Sequence, residues 1–199
     1  MSARLRRAHA GDADAVTAIY APIVRDTSIS FEVDPPGADE MRRRIELTGA
    51  VTPWLACEMP TGFAGYAYAT RHRDRAAYRF SVDVSVYVHE GCRGRGVGAG
   101  LYHALLEILR VQGFHRAYAG ITLPNPASVR LHESVGFAVV GVYREVGYKC
   151  GTWHDVGWWE CALAACGDPP REPLSFDEIA DTEEVLVSLA SGAARMRVA

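Results

Sequence analysis

The sequence predicts a single α/β domain, and three observations carry that expectation. Apolar residues alternate in short runs such as Val82, Val84, Val86 and Val88. Elsewhere the apolar spacing changes to three or four, as in Leu101, Leu105, Leu106, Ile108 and Leu109. A chain of 199 residues with 49% hydrophobic content is long enough for one substantial core and cramped for two.

Taken in order, a first strand over 3–8 gives way at Gly11-Asp12, a helix-start signal, to a helix through residue 25. Residues 27–36 read as loop and 39–47 as a second helix. Strands over 54–58 and 63–71 form a hairpin around Pro60-Thr61-Gly62. A strand over 81–88, a glycine-rich loop and a helix through 109 follow, then a strand over 115–122. Asn125 as cap and Pro126 in the first turn open another helix that ends at Gly136. Strands over 137–148 and 153–163 close the domain, which spans 1–166. Residues 167–199 begin near Asp168-Pro169-Pro170 and finish in Ala, Ser and Gly. They read as a tail, partly disordered or carrying one short helix over 176–189, with little of it in the core.

Net charge of −3 and a sequence pI near 6.2 leave no basic excess for sequence-independent nucleic-acid binding. Cysteines at 57, 92, 150, 161 and 166 form no C-x-x-C pair and no even framework, so neither a zinc site nor a disulfide scaffold is indicated. No apolar run reaches membrane-spanning length, and the arginines at 4, 6 and 7 are not followed by the apolar stretch of a signal peptide. A cytoplasmic protein in a reducing compartment is expected, with no metal and no membrane partner.

The sharpest chemical signal is Arg93-Gly94-Arg95-Gly96-Val97-Gly98, set between a strand and an amphipathic helix. Glycines let the backbone approach an anion, and a helix start adds unpaired N–H groups and a positive dipole end. A nucleoside-triphosphate loop needs Lys-Ser/Thr after its last glycine, whereas Gly96 is followed by Val97-Gly98. The dinucleotide fingerprint is met by Gly94, Gly96 and Ala99. The next strand, however, ends without the carboxylate that would bind a ribose. The third scheme, Arg/Gln-x-x-Gly-x-Gly/Ala, is filled by Arg93, Gly96 and Gly98 and belongs to coenzyme A loops.

With that loop stand Ser30-Phe31, Ser85-Val86-Tyr87-Val88, Leu123-Pro124-Asn125, Ala127-Ser128-Val129-Arg130-Leu131-His132-Glu133, Gly147-Tyr148-Lys149 and the run from Trp153-His154-Asp155 to Trp158-Trp159. On these segments, which span about residues 3–165, the chain resembles the GNAT superfamily of acetyl-CoA-dependent N-acetyltransferases. Within it the chain is similar to the phosphinothricin N-acetyltransferase family. The resemblance implies a GNAT fold, a mixed and mostly antiparallel central sheet flanked by helices. It also implies acetyl transfer to the α-amine of a small amino acid analogue such as phosphinothricin, methionine sulfoximine or methionine sulfone, by direct attack in a ternary complex. Together with the tryptophans of the last strand, it favours a homodimer.

Residue roles follow from the same resemblance. Amide formation needs a deprotonated amine, a stabilised oxyanion and a protonated thiolate. The acid on the strand before the loop falls at Asp83, where the family usually carries glutamate; one methylene shorter, it is expected to act through a bridging water. His132 stands where many GNAT enzymes have a tyrosine that protonates the departing thiolate. Backbone N–H groups of Val86, Tyr87 and Val88 are the expected donors to the acetyl carbonyl. Asn125 and Ser128 are expected at the pantetheine arm, and Arg93, Gly94, Arg95, Gly96, Val97, Gly98 and Ala99 at the pyrophosphate. Phe31, Arg73, Arg75 and Tyr78 would receive the acceptor, arginine being suited to carboxylate or phosphinate. Arg71-His72-Arg73-Asp74-Arg75 also reads as an ordinary charged loop. Trp153, Trp158 and Trp159 read as core and dimer-face aromatics. A protein or peptide N-acetyltransferase and a non-catalytic CoA-binding module remain as alternatives.

Overall fold

In the computed structural model, which describes residues 2–197, a seven-stranded sheet runs in the order β1-β2-β3-β4-β5-β7-β6. Its strands are β1 Arg4–Arg7, β2 Trp54–Met59, β3 Gly62–Arg71, β4 Ser81–Val88, β5 Arg116–Leu123, β6 Ala138–Lys149 and β7 Thr152–Ala162. The helices are α1 Ala13–Asp26, α2 Ala38–Gly49, α3 Val97–Gln112, α4 Pro126–Ser134, α5 Phe176–Ile179 and α6 Glu183–Ala194. Every neighbouring pair is antiparallel except β4 and β5, which are joined through α3 and run parallel. This is the mixed α/β domain that the alternating runs predict, with element bounds close to those expected.

Strand alternation divides the core in two. Val82, Val84, Ala117, Ala119 and Ile121 face α3, whose Leu101, Leu105, Ile108 and Leu109 are buried against them. Each such side chain contributes about 1.5–3 kcal/mol on leaving water. On the other face Tyr66 and Trp54 pack with Val16, Tyr20 and Val24 of α1 and with Met41 and Ile45 of α2. Asp83 and Ser85 alternate with the valines and so lie on this second face, in register with Thr70 and Tyr68 of β3.

The C-terminal segment departs from expectation. Residues 176–194 form two helices, and Phe176, Ile179, Val185 and Met196 join the α3-side core, Phe176 at 1% exposure. Small residues, which read by composition as tail, are what lets α6 approach: a Cβ on Gly192 would lie 2.5 Å from the Gly100 carbonyl oxygen of α3. Further anchors come from Gln112, whose amide donates to the carbonyls of Val51 and Leu174 at 2.9 and 2.8 Å, and from Arg197, whose N–H donates to the Arg95 carbonyl at 2.9 Å.

Candidate active site

The parallel pair β4 and β5 is in register only over Ser81↔Arg116, Val82↔Ala117 and Asp83↔Tyr118. Beyond Asp83 the strands part. The edge of β4 through Val86, Tyr87 and Val88 that faces β5 has no strand partner there among the described residues, leaving peptide groups free to donate to a carbonyl oxygen. The cleft so opened is lined by Val84, Ser85, Val86 and Tyr87 on one side and Gly120, Ile121 and Thr122 on the other, with Tyr102, Asn125, Ser128 and His132 at its walls. It joins the two faces of the sheet.

Beyond the end of β4 the chain enters the glycine loop. After a 3₁₀ turn over Glu90–Cys92, Gly94 and Gly96 take φ of +75° and +82°, conformations that favour glycine, and Gly96 begins α3 without a side-chain cap. The first helical bond is Gly100 N–H to the Gly96 carbonyl at 2.9 Å. The N–H groups of Val97, Gly98 and Ala99 therefore point out of the helix start with no intrahelical acceptor. A Cβ on Gly94 would meet nothing, so the approach is open; Arg93 is exposed beside it and Arg95 half-buried. Uncapped donors, a helix dipole and two guanidinium groups fit a diphosphate.

At the α3 side of the cleft His132 is 4% exposed and both ring nitrogens are engaged. Nδ1 lies 2.8 Å from the Ser128 carbonyl oxygen, which can only accept, so Nδ1 carries the proton. Nε2 then accepts from the Tyr102 hydroxyl at 2.9 Å. Burial pushes the imidazole below its ordinary value and the Tyr102 phenol well above its own, so both are neutral near pH 7. Asn125 caps α4 by accepting from Ser128 N–H at 3.1 Å while its amide remains at the cleft. Tyr102 escaped the sequence reading because on α3 it occupies one more apolar helical position.

On the opposite face Asp83 sits at the apex, where strand pairing stops. Its Oδ1 accepts from His72 Nδ1 at 2.6 Å, and its Oδ2 lies 3.8 Å from the Arg73 guanidinium. Burial pushes the carboxyl up, and the His72 bond and the Arg73 charge offset that in part. The His72 ring stacks on Tyr118, centroids 4.5 Å apart, with Tyr78 and Trp158 edge-on at 5.8 and 6.2 Å. Arg73 lies over the Trp158 ring at 5.6 Å. Trp158 thus lies on the Asp83 face of the sheet, unlike Trp159, which is buried in the core, and Trp153, which is exposed. Arg75 is exposed and Tyr78 is 44% exposed beside His72.

Phe31 comes from the loop between α1 and α2, and that loop is tied down. Glu32 accepts from Tyr20 and Arg44, both at 2.8 Å, Tyr20 meets Ser30 at 2.7 Å, and Lys149 Nζ donates to the carbonyls of Val24 and Ser30. The Phe31 ring lies on Gly147, 6.3 Å from His154. His154 and Trp158 share one face of β7, four residues and so about 13 Å apart. Phe31 and Arg73 therefore stand at two ends of one open floor.

The description "Acetyltransferase (GNAT) domain" matches residues 5–158. A phosphinothricin N-acetyltransferase of Streptomyces coelicolor is 39% identical over 76% of the chain and 91% of its own length. The L-methionine sulfoximine/L-methionine sulfone acetyltransferase of Pseudomonas paraeruginosa is 34% identical over 86% of the chain and 98% of its own. Among solved structures, a GNAT superfamily phosphinothricin acetyltransferase from Sinorhizobium meliloti in complex with AcCoA superposes with a TM-score of 0.80 at 33% identity, covering 92% of this chain and all of that one.

Proposed function

The chain belongs to the GNAT acetyltransferase family, and on that premise we propose that it transfers acetyl from acetyl-CoA to the α-amine of a small acidic amino acid analogue of the phosphinothricin, methionine sulfoximine or methionine sulfone class. The observation that carries the reading is the parting of β4 and β5 just beyond Asp83, which opens a cleft lined by Tyr102 and His132, with the anion cradle following β4 in the chain and Arg73 over Trp158 on the far face. Acetyl-CoA supplies the activated acetyl group.

Each residue then has a task. The amides of Val97, Gly98 and Ala99, with Arg93 and Arg95, hold the diphosphate, and Asn125 and Ser128 flank the pantetheine arm. Peptide N–H groups along Val86, Tyr87 and Val88 stabilise the oxyanion without reorganisation. Asp83 supplies the negative charge that draws a proton from the acceptor's ammonium, and the Tyr102–His132 pair keeps a dry proton source for the thiolate. Phe31 packs against the acceptor's side chain while Arg73, Arg75 and Tyr78 take its acidic ends.

We also place the protein in the cytoplasm as a homodimer. Its five cysteines are free, which suits a reducing compartment, and no helix among the described residues is long and apolar enough to cross a membrane. The edge strand β6 exposes Val139, Val140, Tyr143 and Tyr148, with Trp153 beside them. Such an apolar edge is costly to leave in water. Sedimentation at micromolar concentration is expected to give twice the chain mass.

The decisive assay follows free CoA thiol with acetyl-CoA and a panel of phosphinothricin, methionine sulfoximine, methionine sulfone and ordinary amino acids. Turnover is expected with the analogues. Absence of turnover with every small amine, or activity confined to peptides, overturns the assignment.

A further inference from the structure

We infer that His72, rather than Asp83 itself, is the group that takes the proton from the acceptor's ammonium, with Asp83 acting as its positioning residue. The inference rests on the acetyl-transfer reading above and names the atom that does its first step.

Geometry argues for it from both members of the pair. Both oxygens of Asp83 are already engaged: Oδ1 is occupied by His72 at 2.6 Å and Oδ2 faces the Arg73 cation at 3.8 Å. Its side chain is also a methylene short of the glutamate expected at this place, and the imidazole extends the reach that the shorter acid lacks. His72 is positioned as few surface histidines are. Because a carboxylate can only accept, Nδ1 must donate to it, which fixes the tautomer and leaves the Nε2 lone pair free. Nε2 makes no hydrogen bond among the described residues. The ring cannot swing, since it is stacked on Tyr118, flanked by Tyr78 and Trp158, and 13% exposed. Imidazole is the side chain whose ordinary range lies nearest neutrality, where a general base works best.

The step balances. One N–H bond of the ammonium breaks toward Nε2, giving an imidazolium whose charge Asp83 offsets. The freed nitrogen pair forms the C–N bond to the acetyl carbon as the C–S bond breaks, the departing thiolate takes a proton from the Tyr102–His132 pair, and the nitrogen's surplus proton replenishes that pair. Solvent then takes the proton from His72.

Three measurements on the full chain test this. His72→Gln keeps a partner for Asp83 but has no basic nitrogen; it is expected to lose about 10²-fold or more in kcat, together with the acid limb of the kcat/KM–pH profile. Its acetyl-CoA affinity by calorimetry is expected to stay within about twofold, since no loop contact changes. His72→Ala is expected to regain part of its rate with added imidazole. Long-range 1H–15N spectra of the free protein are expected to show His72 protonated at Nδ1 and bare at Nε2 near neutral pH. The charged and titrating groups facing the ring are Asp83 of β4, Arg73 beyond β3, Tyr78 and Tyr118 of β5. An active wild type whose His72→Gln variant keeps its rate and acid limb overturns the inference and leaves acetyl transfer standing, as does a His72 protonated at Nε2. An inactive wild type instead overturns the acetyl-transfer reading, and this one with it.

Discussion

The two faces of the sheet hold comparable polar pairs under different conditions. On the face where the reading above puts the amine, Asp83 and His72 are bonded at 2.6 Å, and the His72 and Asp83 side chains keep 13% and 28% of their exposure. On the sulfur face Tyr102 and His132 are bonded at 2.9 Å with Tyr102 at 0% and His132 at 4% exposure. A base must hand its proton to solvent after each turnover, so it needs a way out. A donor to a leaving thiolate works best preorganised and dry, because hydrogen bonds gain strength where water is excluded. The cleft that opens beyond Asp83 lies between the two pairs.

The sulfur face depends on the core behind it, so the largest effect is expected from removing its outer layer. A chain ending at residue 173 loses the burial of Phe176, Ile179, Val185 and Met196. At about 1.5–3 kcal/mol for each side chain, the sum approaches the whole stability of a domain, about 5–15 kcal/mol. Denaturant titration of the truncated chain is expected to show no cooperative transition near the full-length midpoint. A cooperative, active truncated chain would mean that α6 is dispensable.

Next comes a variant that breaks the amine face alone. Asp83→Ala is expected to lose about 10²- to 10⁴-fold in kcat with acetyl-CoA binding unchanged. An equal loss of acetyl-CoA affinity would show that the faces are not separable. Gly96→Ala is expected to act the other way round. At φ +82° a Cβ is strained, and it would lie 2.8 Å from the Arg195 carbonyl oxygen, so both folding stability and acetyl-CoA affinity should fall, by about 1–3 kcal/mol. KM for the amino acid is the control. Tyr102→Phe, of similar size but confined to stability, leaves His132 Nε2 buried without its donor and is expected to cost about 1–3 kcal/mol.

Legibility in the sequence followed a similar division. Strand alternation and helical spacing reflect burial, so the elements and the α3 core could be read directly from the residues. The glycine loop was legible because positive φ and helix starts demand particular residue types. His72 was not: within Arg71-His72-Arg73-Asp74-Arg75 it looks like any loop histidine, and only the β3–β4 register brings it onto Asp83. Tyr102 was hidden by its apolar helical spacing. The C-terminal helices were misread because Gly, Ala and Ser suit both a loose tail and a close helix crossing, and which one holds depends on Gly100 presenting an equally small surface. Pairings between distant segments, unlike local pattern, leave no mark at either residue alone.

The smallest expected effect tests whether His132 is as dry and neutral as its geometry requires. Burial lowers its pKa from the ordinary 6.5, so the folded state resists a proton that the unfolded chain accepts. The stability tied to the neutral ring is therefore complete above 6.5 and is lost as pH falls through that value toward the folded one, by at most about 1.4 kcal/mol per pH unit. His132→Gln cannot titrate. The stability gap between wild type and this variant, measured by urea titration, is expected to shrink from pH 7.5 to pH 5.5, about one unit either side of the ordinary imidazole value. A gap that holds constant across that window would mean that His132 meets water or a negative charge in the folded state, and the dry proton source would have to be sought in Tyr102 alone.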